Sequence, residues 1–128
     1  MSSNEVLIDT DVLIDYLRDR VEAVKYLESL PIPPAISAIT VAELYAGVRE
    51  GRERRFLDEF SRSLAVVDVN DEIARLGGLF RRDYFKSHGT GINDAIIAAT
   101  AELDDYTFVT LNRKHFPMLR KILVPYKK

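Results

Sequence analysis

Hydrophobic residues along this 128-residue chain follow two alternating patterns. Short, mainly apolar runs predict strands that are buried on both faces, and apolar residues that recur every three or four positions predict helices with one buried face. The predicted strands cover 5–8, 35–37, 64–69, 106–110 and 122–124. The predicted helices cover 11–18, 21–30, 39–50, 53–63, 71–86, 92–103 and 113–119.

The alternation of strands and helices predicts an α/β fold in which helices cover both faces of a parallel sheet. The chain contains no internal repeat and no low-complexity segment, and its prolines at 31, 33 and 34 form a rigid turn too short to be a linker. We therefore expect a single domain spanning 1–128. Because ligands of such sheets bind outside the carboxyl ends of the strands, the residues after each apolar run are the candidates for chemistry.

The first of these positions carries two acids, Asp9 and Asp11, on either side of Thr10. One aspartate at a strand end often caps the following helix. Two acids exceed what a single cap requires, so a functional role stays open beside the structural one.

Glu43 lies in the helix that follows the second strand, and it has two interpretations. The segment 40–43 matches a capping box, in which Glu43 would reach back to the Thr40 backbone. Alternatively, its neighbours three and four residues away are small or apolar, which would bury the carboxylate and require a partner for it. Those neighbours are Ile39, Thr40, Ala46 and Gly47.

Asp94 stands near the start of an Ala/Ile-rich helix, with Asn93 as the predicted cap. A carboxylate in the first turn suits the helix dipole. However, the same helix face continues with Ile97, Ala98 and Ala101, which is a core face. An acid at the head of a buried stripe favours a role in coordination. Asn112 supplies a further oxygen after the fourth strand, beside Thr110.

Three carboxylates and an amide projected from strand ends could meet at one point. Magnesium and manganese prefer oxygen ligands, and clustered negative charges repel one another unless a cation compensates them. Sites of this kind catalyse phosphodiester hydrolysis.

Four segments stand in an order that resembles the PIN-domain nucleases, most closely the VapC-type toxins of toxin–antitoxin pairs. The resemblance runs from about Val6 to Pro125 and rests on these segments. They are Asp9-Thr10, Ser37 through Glu43-Leu44, Asp94 through Ala101, and Val109-Thr110-Leu111-Asn112.

The resemblance implies an α/β/α sandwich around a mostly parallel sheet and a metal-dependent ribonuclease. It also implies a homodimer that is inhibited by a small antitoxin protein. It makes Asp9, Glu43 and Asp94 the acidic site for Mg²⁺ or Mn²⁺, with Thr10 and Thr110 as nearby hydroxyls.

The fourth acidic position of many PIN domains is Asn112 here. A neutral amide argues against two tightly bound metals, so we expect one resident ion, with Asp11 as a possible extra source of negative charge.

The composition of the chain excludes several kinds of site and disfavours some partners. With no cysteine, disulfides, thiol nucleophiles and zinc–cysteine sites are excluded. The net charge of −2 argues against broad attraction to polyanions. No apolar run approaches the ~20 residues that span a bilayer, and with no export signal recognised we expect a cytoplasmic protein without a membrane partner.

Basic residues beside the proposed site are the candidates for RNA contact. Arg113 and Lys114 directly follow Asn112. We interpret the arginines between 49 and 55 mainly as a solvated helix surface, and both His88 and His115 as surface or loop residues. The aromatic residues at 56, 60, 80, 84 and 85 recur at helical spacing and are predicted to lie in the core or a dimer interface.

Two other enzyme or switch classes remain open at this stage. Asp9-Thr10-Asp11 after a strand also resembles the nucleophile motif of haloacid-dehalogenase-like phosphatases, in which Asp9 would be phosphorylated. A receiver-like phosphoacceptor would need its acceptor after the third strand, where Asp68 fits poorly. A PIN-like domain that has lost catalysis and only binds a partner is the third alternative.

Overall fold

The computed structural model describes residues 5–128 and contains five short strands and six α-helices in this range. The strands are β1 Val6–Ile8, β2 Ala35–Ser37, β3 Ala65–Val67, β4 Thr107–Val109 and β5 Ile122–Leu123. The helices are α1 Thr10–Leu17, α2 Val21–Glu28, α3 Ala38–Ala46, α4 Arg52–Ser61, α5 Asp71–His88 and α6 Ile92–Leu103, with a 3-10 turn at Arg113–His115.

All strand pairs in the sheet are parallel, and the strand order is β3-β2-β1-β4-β5. Leu7 of β1 lies opposite Ala35 of β2 on one side and Phe108 of β4 on the other. The chain therefore builds the sheet outward from β1 in one direction as far as β3, and then crosses to the other side of β1 to add β4 and β5. The crevice between β1 and β4 is the switch point at which ligands of such sheets bind.

Two hydrophobic clusters lie on opposite faces of this sheet. Side chains alternate across a strand, so successive residues of each central strand belong to different clusters. Leu7 and Phe108 belong to the cluster that contains α6 residues, whereas Ile8 and Val109 belong to the cluster beneath α1, α3 and α4. The predicted three-layer α/β/α sandwich with a parallel sheet is confirmed.

Element boundaries agree with the sequence prediction in some places and differ in others. Helix 92–103 has the predicted bounds, but α3 stops at Ala46 because Gly47 ends it, rather than continuing to residue 50. The predicted helix 113–119 is only a three-residue 3-10 turn. Pro117 explains this, because the residue before a proline is disfavoured in helical conformation and proline has no amide hydrogen.

None of the helices described between residues 5 and 128 is long and apolar enough to cross a membrane.

Candidate active site

Asp9 lies at the carboxyl end of β1, in the crevice between β1 and β4. Its backbone amide donates to the Val109 carbonyl at 2.8 Å, which ties the turn to β4. Its carboxylate is 5% exposed and accepts hydrogen bonds from the Thr10 amide at 2.8 Å and the Thr110 hydroxyl at 2.7 Å. Asp9 is also the N-cap of α1, so its structural and its candidate functional roles coincide.

Glu43 reaches the same place from α3, across β2. Thr10 donates its hydroxyl hydrogen to Glu43 Oε1 at 2.6 Å, and Asn93 Nδ2 donates to Oε2 at 3.3 Å. The capping-box interpretation of Glu43 is wrong, because Ser37 caps α3 instead by accepting a hydrogen bond from the Ile39 amide at 3.0 Å. With the cap already provided, the Glu43 side chain is free to face the site.

A buried hydroxyl supports the contact between Thr10 and Glu43. The oxygens of Thr10 and Thr40 lie 3.1 Å apart, and both residues are buried. A hydroxyl has one hydrogen, which Thr10 gives to the closer and charged Glu43. Thr40 therefore donates to the Thr10 oxygen, so that two threonines form a chain ending on the carboxylate.

Asp94 enters from the first turn of α6. The N-cap of this helix is Gly91, so the predicted cap Asn93 is wrong, and Asn93 instead lies within the helix and contacts Glu43. Asp94 Oδ2 lies 3.3 Å from Nδ1 of His115, and the two side chains are each about one-third exposed. Asp94 is thus held between the sheet and the 3-10 turn after β4.

Asp11 binds the backbone at the end of β4. Its Oδ2 accepts from the Leu111 amide at 3.0 Å and lies 3.5 Å from the Thr110 hydroxyl, while Oδ1 accepts from the Val12 amide at 2.7 Å. These bonds use the carboxylate to join α1 to β4. The structure thus gives Asp11 a positioning role beside the three other acids.

Asn112 is anchored through Thr110. Its amide donates to the Thr110 hydroxyl oxygen at 3.0 Å, and its side chain lies 2.8 Å from Nδ1 of His115. Thr110 in turn donates to Asp9, so Asn112 lies next to the site as the sequence predicts.

Several carboxyl groups lie close together at this place, and burial disfavours their charged form. Burial, followed by the charges of Asp11 and Asp94, raises the pKa of Asp9 to about 8, although the Thr110 and Thr10 hydrogen bonds act in the other direction. Burial also raises the pKa of Asp94, with Glu43 adding to the effect and His115 opposing it. Burial raises the pKa of Asp11 as well, against the hydrogen bonds from Leu111 and Val12. Asp94 thus lies near enough to Asp9 and to Glu43 for their charges to repel.

His115 is the site residue that sequence reasoning missed, since it was interpreted as a surface or loop residue. Its ring contacts both Asp94 and Asn112, and its carbonyl accepts from the buried Thr90 hydroxyl at 2.6 Å. Its position three residues after Asn112, in a short 3-10 turn, is a signal that could have identified it, because such neighbours lie on one side of the turn. The sequence prediction also did not assign Asn93 and Thr40 to the site, because it interpreted both as helix caps.

Arg113 and Lys114 are exposed at the 3-10 turn beside the site. Among residues 5–128, neither forms an ion pair with an acidic side chain, whereas Arg49 and Arg54 are paired within α4 and the segment before it. The two basic side chains next to Asn112 are therefore available to an anionic ligand.

Asp9, Glu43 and Asp94 offer carboxylate oxygens, the type of ligand that hard divalent cations prefer. Within the described part of the chain, no cation pairs with Asp9 or Glu43, although His115 contacts Asp94. In residues 5–128, no three acidic or histidine side chains are arranged so that they could hold a metal ion together. Magnesium typically binds one or two carboxylates and keeps several waters, so an open arrangement of oxygen ligands suits it.

Comparison with known proteins assigns the family. The PIN domain profile matches residues 6–121. Ribonuclease VapC10 from Mycobacterium tuberculosis is 40% identical over 124 residues, which cover 94% of this chain and 92% of the relative. The chain therefore belongs to the PIN-domain family, and its relatives there include VapC ribonucleases.

Solved structures agree with this assignment. A toxin–antitoxin complex from Klebsiella pneumoniae contains a chain that is 31% identical, with a TM-score of 0.82 and coverage of 97% of this chain and 100% of that one. VapBC2 from Rickettsia felis, bound to a DNA fragment from its promoter, matches with 26% identity, a TM-score of 0.75 and coverage of 92% and 96%. The predicted family is confirmed, and the phosphatase and receiver alternatives are not supported.

Proposed function

We propose that this protein is a divalent-metal-dependent endoribonuclease that acts as the toxin of a toxin–antitoxin pair. The observation that carries the proposal is the proximity of Asp94 to both Asp9 and Glu43, with Asp9 at the switch point of a PIN-domain sheet. The relatives named as VapC ribonucleases support RNA as the substrate.

In this proposal Asp9 and Asp94 hold Mg²⁺ or Mn²⁺, and Glu43 orients the water that attacks the phosphodiester. When bound, the ion neutralises charge on the phosphate and lowers the pKa of water. Thr110 fixes one oxygen of Asp9, and Thr10 with Asn93 fixes both oxygens of Glu43, so the carboxylates are oriented before RNA arrives. Arg113 and Lys114 bind the phosphates that flank the bond to be cut.

The test is RNA cleavage by variants that keep the shape of each carboxylate. We expect Asp9→Asn, Glu43→Gln and Asp94→Asn to lose cleavage by at least ~100-fold, because each removes a charge that preorganises the site. Thr107→Val, at the opposite end of β4, is the matched control and should cleave normally. A folded Asp94→Asn variant that cleaves RNA at the wild-type rate would reject this site.

The inactive binding module is the competing outcome of the same test. It predicts that wild-type protein, with Mg²⁺ or Mn²⁺ present, cleaves no RNA while still binding a partner.

The partner in this proposal is a small antitoxin protein, and the protein acts in the cytoplasm as a homodimer. The similarity to chains in toxin–antitoxin complexes supports the antitoxin.

A groove on the surface offers a place for an antitoxin segment. It starts at Glu43 and runs between α1 and α3 to the first turns of α4. The far part of the groove is lined by Leu17 and Phe56 together with the charged residues Asp19, Arg52 and Glu53. Phe56 is 45% exposed there. The residues lining its first part are Ile14, Leu17, Arg18, Leu44, Gly47 and Val48, together with the acids Glu43 and Glu53.

An apolar antitoxin segment with a basic residue at one end complements this groove. We expect Phe56→Asp to weaken antitoxin binding by ~10-fold or more, because it places a charge where an apolar side chain would be buried. RNA cleavage should remain, since Phe56 lies outside the acidic cluster. Phe85→Asp, on the exposed part of α5, is the control for antitoxin binding, and equal losses in both variants would place the antitoxin elsewhere.

A further inference from the structure

The contact between His115 and Asp94 has no counterpart among the other acids of the site. Asp9 and Glu43 receive their hydrogen bonds from hydroxyl groups, the Thr10 amide and the Asn93 side chain. Asp94 is approached instead by an imidazole, whose Nδ1 lies 3.3 Å from Oδ2. The same Nδ1 lies 2.8 Å from the side-chain nitrogen of Asn112.

From these two distances we infer where the ring hydrogen lies. If Asn112 donated to Nδ1, that nitrogen would carry a lone pair, which would face the Asp94 carboxylate and be repelled by it. A hydrogen on Nδ1 removes the repulsion, because it can be shared between Asp94 Oδ2 and the oxygen of the Asn112 amide. The amide must then be turned so that its oxygen faces the ring, and oxygen and nitrogen of an Asn side chain are assigned from such networks.

The main chain of the turn holds the ring in this place. The carbonyl of His115 accepts a hydrogen bond from the buried Thr90 hydroxyl at 2.6 Å. The edge of the ring that carries Nε2 faces Gly89, the residue that ends α5 in a left-handed conformation. The imidazole thus bridges the loop before α6 and the turn after β4, with Nδ1 directed to the acids.

We propose that His115 is a positioning residue that holds Asp94 and Asn112 through a single Nδ1 hydrogen, and thereby sets the affinity of the site for its metal ion. The inference rests on the proposed metal-dependent function. One oxygen of Asp94 is fixed by the imidazole, so the other remains available to the ion. Hydrogen bonds to ligating carboxylates commonly change metal affinity 10- to 100-fold.

Two substitutions separate this role from packing. The side-chain nitrogen of Asn can take the position of Nδ1, whereas that of the longer Gln can take the position of Nε2. We therefore expect His115→Asn to keep Mn²⁺ affinity within about threefold of wild type, whereas His115→Gln and His115→Ala lose about tenfold. Mn²⁺ binding is measured at one pH by electron paramagnetic resonance of the free ion, with unfolding curves to show that each variant is folded.

His88→Ala is the matched control, since it removes an exposed histidine from the end of α5 and should bind Mn²⁺ as the wild type does. Wild-type affinity in all three His115 variants overturns the inference. An equal loss of Mn²⁺ affinity in the Asn, Gln and Ala variants of His115 also overturns it. The ring would then act through packing and not through its Nδ1 hydrogen. If wild-type protein binds no Mn²⁺, the proposed function fails as well.

A measurement without metal separates failure of the proposed role of His115 from failure of the proposed metal-dependent function. In ¹⁵N NMR spectra of the metal-free protein, we expect a hydrogen on Nδ1 of His115, and its signal should change in Asp94→Asn but not in Glu43→Gln. Finding Nδ1 without a hydrogen would reject the role of His115 even if the protein proves to be a metal-dependent ribonuclease.

Discussion

At the scale of single residues, the carboxylate of Asp9 lies where the fold disfavours its charge. Burial and two neighbouring acids raise its pKa to about 8, and its hydrogen bonds come from one amide and one hydroxyl, with no cation within the described range. Without metal, a charge at this position opposes folding, and the cation of the proposed function would offset that effect. The residue that we propose to hold the metal therefore lowers the stability of the metal-free protein.

We expect Asp9→Asn to be at least as stable as the wild type in EDTA. The amide removes the buried charge, and its oxygen can still accept one of the two hydrogen bonds. With Mn²⁺ at about 100 times its dissociation constant, wild type should gain about 2.7 kcal/mol in free energy of unfolding, and the variant much less. Urea denaturation with and without Mn²⁺ measures both effects.

Asp15→Asn is the control for a buried acid whose charge is compensated. Asp15 is also buried, but it pairs with Lys128 at 3.0 Å and accepts from the Tyr126 hydroxyl at 2.8 Å. Its substitution should destabilise the protein equally with and without metal. Since Asn caps a helix about as well as Asp, an Asp9→Asn variant that loses as much stability in EDTA as Asp15→Asn would show that the fold already compensates the Asp9 charge.

The sequence indicated Asp9, Glu43 and Asp94 because each interrupts an apolar pattern at a strand end or on a buried helix face. It could not indicate the contact between His115 and Asp94, because Asp94 lies 21 residues earlier in the chain and only the fold brings the two side chains together. The same limit applies to Asn93, which was predicted as a cap. Its contact with Glu43, 50 residues earlier, depends on α3 and α6 lying side by side.

At the scale of elements, α5 and α6 form an antiparallel pair that places Asp94. The two helices share the most extensive contact between any two elements of the described chain. Gly77 is buried at this contact, and a Cβ added to it would lie 2.9 Å from Ile96 Cγ1 and 3.0 Å from Ile96 Cα. Since a backbone atom is involved, the helices could not relieve this by a side-chain rotation alone, and α6 would have to move.

We expect Gly77→Ala to lower the free energy of unfolding by about 1–3 kcal/mol, the usual cost of overpacking. The neighbouring Gly78 has no atom within 4 Å of an added Cβ, so Gly78→Ala should instead raise it by about 0.5–1 kcal/mol through helix propensity. Urea denaturation of the two variants at one pH compares them directly. If both substitutions stabilise the protein, α5 and α6 are less closely packed than the structure indicates.

Apolar runs and helical periodicity predicted the five strands and six α-helices of the described chain, but the ends of some elements depended on local details that these patterns do not contain. The bounds of α6 were correct because the apolar pattern itself begins and ends with the helix. α3 was predicted to extend to residue 50, since the pattern continued past Gly47, where the helix in fact ends. The capping of α3 by Ser37, the last residue of β2, also went unrecognised, and this left Glu43 with a false structural explanation.

At the scale of the whole molecule, the net charge of −2 must be reconciled with an RNA substrate. The acids that face the site repel phosphate unless a cation is bound, and several arginines, such as Arg54 and Arg75, are paired with nearby acids. Attraction to RNA therefore depends on a few unpaired basic side chains near the site. Arg113 and Lys114 meet this condition within the described chain, and they lie on the turn that also carries His115.

We expect Arg113→Ala and Lys114→Ala each to weaken RNA binding and to reduce its dependence on salt. Each phosphate contact with single-stranded RNA contributes about 0.7 to the slope of log affinity against log salt, because it releases condensed counterions. Binding is measured with Mg²⁺ over a range of salt concentrations, in an Asp94→Asn background so that the RNA stays intact.

Arg75→Ala is the control. It removes the same charge from an exposed ion pair near the start of α5, more than three turns from Gly89, and should leave the slope unchanged. If the slope is the same in all three variants, Arg113 and Lys114 do not contact phosphate. The near-neutral net charge would then have to be offset by RNA contacts on another face of the protein.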